Sequence, residues 1–226
     1  MRRRAIVMNT STLEFLRELE SNNNKPWFEE NRHRYEKARA NFLVFFEAVV
    51  SGIAKFDQDV AQNLEEAKKV FRIYRDLRFS RDKSPYKPHL AGVIVPGGMR
   101  SGRAGYYVHI EPGGRSMAAG GMHQPDSKNL QKVRKALSER FEEFRTIVEE
   151  DSFVAQFESL NREHALKRVP PGFDPSGSAA EYLKLKSFTA WRAFTDDEVL
   201  QDSFLSDAVS AFRTVKNLNA FLDGAL

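Results

Sequence analysis

The stretch "HLAGVIVPGGMRSGRAGYYVHIEPGGRSMAAGGM", His89 to Met122, decides the architecture. Three short runs within it, "HLAGVIVP", "GYYVHIEP" and "RSMAAGGM", are rich in β-branched, aromatic and small residues, and clusters of Pro, Gly and Ser separate them. "PGGMRSGRAG" reads as a flexible hairpin loop and "PGG" at 112–114 as a tight turn. The three runs are therefore expected to be consecutive antiparallel strands. Immediately upstream, "VFRIYRDLRF" (70–79) has the same strand-like composition, and "KLKSFTAWRAF" (184–194) supplies a fifth candidate.

Outside these runs the period is helical. Ser11 with Glu14 has the form of a capping box before Leu13, Leu16 and Leu19. Pro26 suits the first turn of a long helix in which Phe28, Tyr35, Phe42, Val49 and Phe56 recur every seven residues. Leu130, Val133, Leu137, Phe141, Phe144 and Val148 mark one face of a helix over 127–149. A short helix is expected around Ala179 to Leu183, and Thr195 with Glu198 forms a second capping-box candidate. Phe204, Ala208, Phe212, Val215, Leu218 and Leu222 make a C-terminal amphipathic helix. Helices, then strands, then helices indicate an α+β fold: a mainly antiparallel sheet of four to five strands, packed on one face by long amphipathic helices. The division is an N-terminal extension over 1–10 and a single domain over 11–226, with Met8 a candidate natural start.

The chain has 226 residues, 41% hydrophobic and 12% aromatic, enough to bury a sizeable core in one domain. The absence of cysteine excludes a disulfide framework, a zinc ribbon and a cysteine nucleophile, and points to the cytoplasm. No apolar run reaches the roughly 18 residues of a membrane span, so no membrane partner is expected. Walker, dinucleotide-binding, nucleophile-elbow and H-E-x-x-H patterns are all missing.

The net charge of +4 is mild, but its distribution is not. Between Lys68 and His89 eight basic residues face two aspartates, a local charge of +6 that exceeds that of the whole protein. If 70–79 is extended, Phe71, Ile73, Leu77 and Phe79 share one face, and Arg72, Tyr74, Asp76 and Arg78 share the other. Arg75 then falls on the apolar face and must reach a carboxylate or a ligand, or be re-aimed by a bulge, with Asp76 or Glu111 as the preferred partner. In "GYYVHIEP", Tyr107, His109 and Glu111 share the polar face. The two polar faces can therefore meet on one floor. His109, Glu111 and Asp76 are the candidate catalytic groups for proton transfer. Arg72, Arg75, Arg78, Lys83, Tyr86 and Lys186, with Lys184 as an alternative to the last, are the candidate anion-binding groups. Gly120 and Gly121 offer backbone N–H groups. His109, Glu111, His123 and His89 are of metal-binding type, but no pair has a helical ligand spacing, and no metal or cofactor is assigned.

Two ligand classes follow. An anionic small molecule bearing a phosphate or carboxylate suits a compact site in which cations alternate with acids. Nucleic acid would use the basic segment 68–89, with Tyr74, Tyr106 or Tyr107 stacking on bases. A third alternative is a non-enzymatic interaction scaffold whose charge serves solubility. The oligomeric state is left open.

The segments "RDLRFSRDKSPYKPH", "GYYVHIEPGG", "GGM" and "LKRVPPGF…AAEYLKLKSF" together resemble the bacterial and fungal proteins of the domain of unknown function 2461 family. The resemblance runs from "NNNKPWFEENRHRYE" to "KLKSF", and places the family signature on Arg72, Arg75, Asp76, Arg78, Phe79, Asp82, Lys83 and Tyr86. His123, where an aromatic is expected after "GGM", and Leu77, where a small polar residue is common, depart from it. The resemblance implies one domain of about this length and no established activity.

Overall fold

In a computed structural model that describes residues 6–78 and 82–226, the three runs of the quoted stretch fold as β2 (Leu90–Ile94), β3 (Gly105–Ile110) and β4 (Ser116–Met122). With β1 (Lys68–Val70) beside β2 and β5 (Phe188–Phe194) beside β4, they form a five-stranded sheet in chain order, antiparallel throughout. The fold is α+β, as expected. Before the sheet come α1 (Thr10–Ser21), α2 (Lys25–Glu30), α3 (Arg32–Ala54), α4 (Gln58–Gln62) and α5 (Leu64–Ala67). Between β4 and β5 lie α6 (Ser127–Glu139), α7 (Phe141–Val148), α8 (Asp151–Phe157) and α9 (Ala180–Leu183). After β5 come α10 (Asp196–Leu200) and α11 (Phe204–Asp223).

Period-two alternation sorts the sheet into two faces. Ile94, Tyr106, Val108, Ile110, Ala118, Phe188 and Ala190 are buried on one of them. Two close approaches show what covers it. A Cβ on Gly92 would stand 2.4 Å from the Phe46 ring of α3, and one on Gly120 would stand 2.3 Å from Val215 of α11. Glycine at these points lets both long helices lie directly on the strands. Tyr106 carries a hydroxyl into this layer and donates it to Asp57 at 2.6 Å, which also caps α4 through the N–H groups of Asp59 and Val60.

Several local expectations change. The predicted strand over 70–79 keeps only its start, because the sheet holds Lys68–Val70 and the chain then leaves it. Residues 71–78 and 82–88 pair irregularly instead, through Arg75 N–H to the Pro85 carbonyl, Lys87 N–H to the Ile73 carbonyl, and a bridge between Tyr74 and Tyr86. Pro85 and Pro88 remove ladder donors from one arm. Tyr86 is drawn off the sheet by stacking on Phe28 of α2, ring centroids 4.0 Å apart. Phe79 and Arg81 lie outside the described residues.

The helix expected from Pro26 is interrupted at Asn31, and that expected over 127–149 at Arg140, each a residue of non-helical geometry between two helices. Asn9, not Ser11, precedes α1, and its backbone N–H is held by Asn41. Residues 6–9, assigned to an extension, are packed: Met8 is buried and the Val7 carbonyl accepts from Asn41. The Thr195–Glu198 capping box forms with both of its reciprocal bonds.

Candidate functional site

The second face of the sheet is not covered by the long helices. Ala91 and Val93 from β2, Tyr107 from β3, Met117 and Ala119 from β4, and Thr189 and Trp191 from β5 floor a cavity of about 810 Å³. The middle of its floor, Ala91, Val93 and Ala119, is small and apolar, and Trp191 is 44% exposed. Phe71, Lys87 and His89 border one side, and Met99, Arg103, Pro125 and Asn129 border the other.

Strand register concentrates the polar groups at one corner. Leu90 faces Ile110 and Ala91 faces His109. One step further along the same register sets His89 opposite Glu111, and across the β3–β4 turn Arg115 returns beside Glu111. His109 Nε2 donates to Glu111 Oε2 at 2.6 Å, and the Tyr107 hydroxyl is 2.8 Å from His109 Nδ1. The His89 ring lies over His109 with centroids 4.2 Å apart, its Nδ1 3.7 Å from the same Glu111 oxygen. Arg115 Nε donates to the other oxygen, Oε1, at 2.9 Å, while its terminal nitrogen reaches Glu20 of α1.

The protonation pattern follows from these contacts. Burial works against ionisation of Glu111, but the His109 hydrogen bond and the nearby imidazoles and Arg115 outweigh it and hold its carboxyl below the usual range. Burial and the Glu111 charge push the Tyr107 phenol up to about 12, so it keeps its proton. Burial, with the neighbouring His109, pushes His89 down to about 4 and leaves it neutral at pH 7. Lys87, at the cavity edge, is held below the ordinary lysine range by burial and by Arg72 and Arg75. His89 and Tyr107 line the cavity, whereas His109 is buried behind them.

Of the residues nominated from sequence, the structure brings His109 and Glu111 together. Asp76 is exposed and binds Arg78 through both oxygens, at 2.9 and 2.6 Å. Arg75 is half-buried, but its partners are Asp82 at 3.0 Å and the Tyr86 carbonyl at 2.9 Å, not Asp76 or Glu111. Lys83 donates to the Leu77 carbonyl. Tyr86, an anion-binding candidate, is buried against Phe28. Arg72 and Lys186 are exposed, and Lys184 pairs with Glu181. Among the described residues, the cavity lining includes Lys87 and Arg103 but none of Arg72, Arg75, Arg78, Lys83, Tyr86 or Lys186. Gly120 and Gly121 lie inside β4, paired on both sides, so their N–H groups belong to the sheet.

The basic segment is likewise engaged locally: Lys68 pairs with Glu47 and Glu65, Arg75 with Asp82, and Arg78 with Asp76. His89 enters the sequence analysis only as an imidazole of metal-binding type, and Arg115 does not enter it. Both were within reach, since His89 shares parity with Ala91 and Val93, and Arg115 lies one tight turn from Glu111. What was missing is the register that sets them beside the same carboxylate. No helix among the described residues is long and apolar enough to cross a membrane.

The chain belongs to the family described as conserved hypothetical protein (DUF2461), whose model matches residues 11–221. No curated protein and no solved structure matches it.

Proposed function

We propose that the open face of the sheet binds a small molecule with an apolar body and a carboxylate or phosphate head, and that the imidazole–carboxylate corner moves a proton at that head. The observation that carries this reading is the cavity of about 810 Å³, floored by Ala91, Val93 and Ala119, flanked by Trp191 and ending at His89 and Lys87. That volume lies within the range of small-molecule sites, and a mostly apolar lining with a few convergent polar groups is their usual composition. Trp191 offers a stacking surface for a flat body. Lys87 offers a cation at the corner, and the His89 imidazole at the cavity edge stands beside the hydrogen-bonded His109–Glu111 pair that would carry the proton. Cytoplasmic action is the accompanying proposal, supported by the cysteine-free composition.

The test uses anilinonaphthalene sulfonate, an apolar ring system with one anionic head. It is expected to bind saturably with a stoichiometry of one, to quench Trp191 in a Trp27→Phe background, and to raise the melting temperature by mass action. Ala119→Phe fills the floor and is expected to abolish the binding while leaving the melting temperature nearly unchanged. Probe binding that survives Ala119→Phe places the ligand elsewhere and sinks the reading.

A further inference from the structure

The corner occupied by His89, His109 and Glu111 has a composition and spacing that hydrogen bonding alone does not require. One nitrogen from each imidazole and one carboxylate oxygen all lie within 4.8 Å of one another. Two nitrogens and one carboxylate oxygen, presented by adjacent strands, are the donor set that zinc, cobalt, nickel and ferrous iron favour. We propose that this trio is a divalent transition-metal site, with His89, His109 Nε2 and Glu111 Oε2 as its protein ligands.

Groups outside the trio strengthen the case. A ligating histidine ordinarily has its second nitrogen held by a hydrogen bond, and a ligating carboxylate has its free oxygen held likewise. Here the Tyr107 hydroxyl is 2.8 Å from His109 Nδ1, and Arg115 Nε is 2.9 Å from Glu111 Oε1. Each orients its residue so that the remaining donor atom faces the trio. The His109–Glu111 bond of 2.6 Å places the proton that a cation would displace between the two donors. Three protein ligands leave at least one coordination position, and His89 borders the cavity, so a water or an acidic head from the cavity is the natural further ligand.

This inference concerns the same corner as the proposed binding site, but its test does not pass through that site. Protein stripped with a chelator is titrated with Co²⁺, read by its visible absorption, and with Zn²⁺, read by calorimetry and by competition with Co²⁺. One saturable site per chain is expected. Tyr107→Phe, which removes only the hydroxyl behind His109, is expected to weaken affinity by about 10-fold, the lower range for an outer-shell partner. His89→Gln and Glu111→Gln should weaken it by more than Tyr107→Phe does. His123→Ala, an exposed imidazole elsewhere on the cavity lining, should leave it unchanged.

Absence of saturable binding by the wild-type protein overturns the inference, and so does binding that is indifferent to His89→Gln and Glu111→Gln. The wild-type titration stands even if a variant fails to fold. Should the metal fail while anilinonaphthalene sulfonate still binds, the cavity remains a ligand site and the corner is a hydrogen-bonded proton-transfer pair alone. Should the metal bind and the probe fail, the metal site stands without the proposed ligand.

Discussion

Gly120 and Ala119 are neighbours in one strand, yet they face different worlds. Gly120 points at α11, where a Cβ would meet Val215 at 2.3 Å, and Ala119 points into the cavity. The covered face of the sheet is packed to the limit of backbone approach. The open face carries the small Ala91, Val93 and Ala119 among the larger Tyr107, Met117 and Trp191, with a cavity above them. An antiparallel sheet can leave one face uncovered without loss of its ladder, and under the proposed function this open face is the one that takes the ligand.

The sharpest way to break this comparison is to overfill the covered face. Gly120→Val is expected to cost about 3 kcal/mol or more, and to leave much of the protein insoluble, because neither the backbone of β4 nor Val215 can retreat far in a close-packed layer. Gly120→Ala should be milder, and Val215→Ala should relieve part of its cost. In a double-mutant cycle of chemical denaturation the two changes are expected to couple. Additivity would mean that the contact between Gly120 and Val215 is not what limits the site.

The next effect compares two adjacent tyrosines. The Tyr106 hydroxyl donates to the buried Asp57, whereas the Tyr107 hydroxyl meets an imidazole at the cavity edge. Tyr106→Phe removes a bond to a carboxylate that also caps α4, and is expected to cost about 2 kcal/mol. Tyr107→Phe should cost about 1 kcal/mol in stability, with its main effect on metal affinity. A reversed order in thermal and urea denaturation would contradict the assignment of the two faces.

How much of this contrast was legible in the sequence depended on whether the chain stayed regular. β2, β3 and β4 were legible because turn residues punctuate them and their alternation continues to their ends. The basic segment was misleading for a physical reason. Phe71, Ile73 and Leu77 alternate with Arg72, Tyr74 and Asp76 as a strand would, yet Phe71 borders the cavity, Ile73 is buried in the core, the segment turns in a local hairpin anchored by Tyr86 on Phe28, and Arg75 and Arg78 pair with Asp82 and Asp76. Alternation reports that two sides differ, not that a sheet lies between them. The interruptions at Asn31 and Arg140 were invisible because the apolar period continues through both. At the site, parity correctly grouped Tyr107, His109 and Glu111, while His89 and Arg115 required knowledge of which residue faces which, and only the register of paired strands supplies that.

A smaller effect tests how the end of the sheet is held. Asp196 accepts from the N–H groups of Gly113 and Gly114 in the β3–β4 turn and from Arg17 of α1. Burial raises its pKa, but these bonds outweigh burial and hold the carboxyl below its usual range. A carboxylate depressed in the folded state stabilises at pH values above its unfolded pKa of about 3.9, and the contribution is lost as pH falls through the folded value. Asp196→Asn is expected to cost about 1–2 kcal/mol at pH 7 and to flatten the dependence of urea stability on pH below about 4. An unchanged acid limb in the variant would show that the turn is held by other groups.

The smallest expected effect is the one that most directly defends the open face. Ala119→Val adds two methyl groups one residue from Gly120, on a strand where Ala119 faces Tyr107 on one side and Trp191 on the other. Valine suits a strand better than alanine, and its methyl groups enter the cavity instead of a packed layer. The expected change in stability is within about 0.5 kcal/mol, of either sign, with a measurable loss of probe binding as the floor rises. Valine one residue later, in Gly120→Val, is expected to be severe. Equal costs at 119 and 120 would mean that both faces are structural, and the cavity would then be a gap in the core, not a place kept for a ligand.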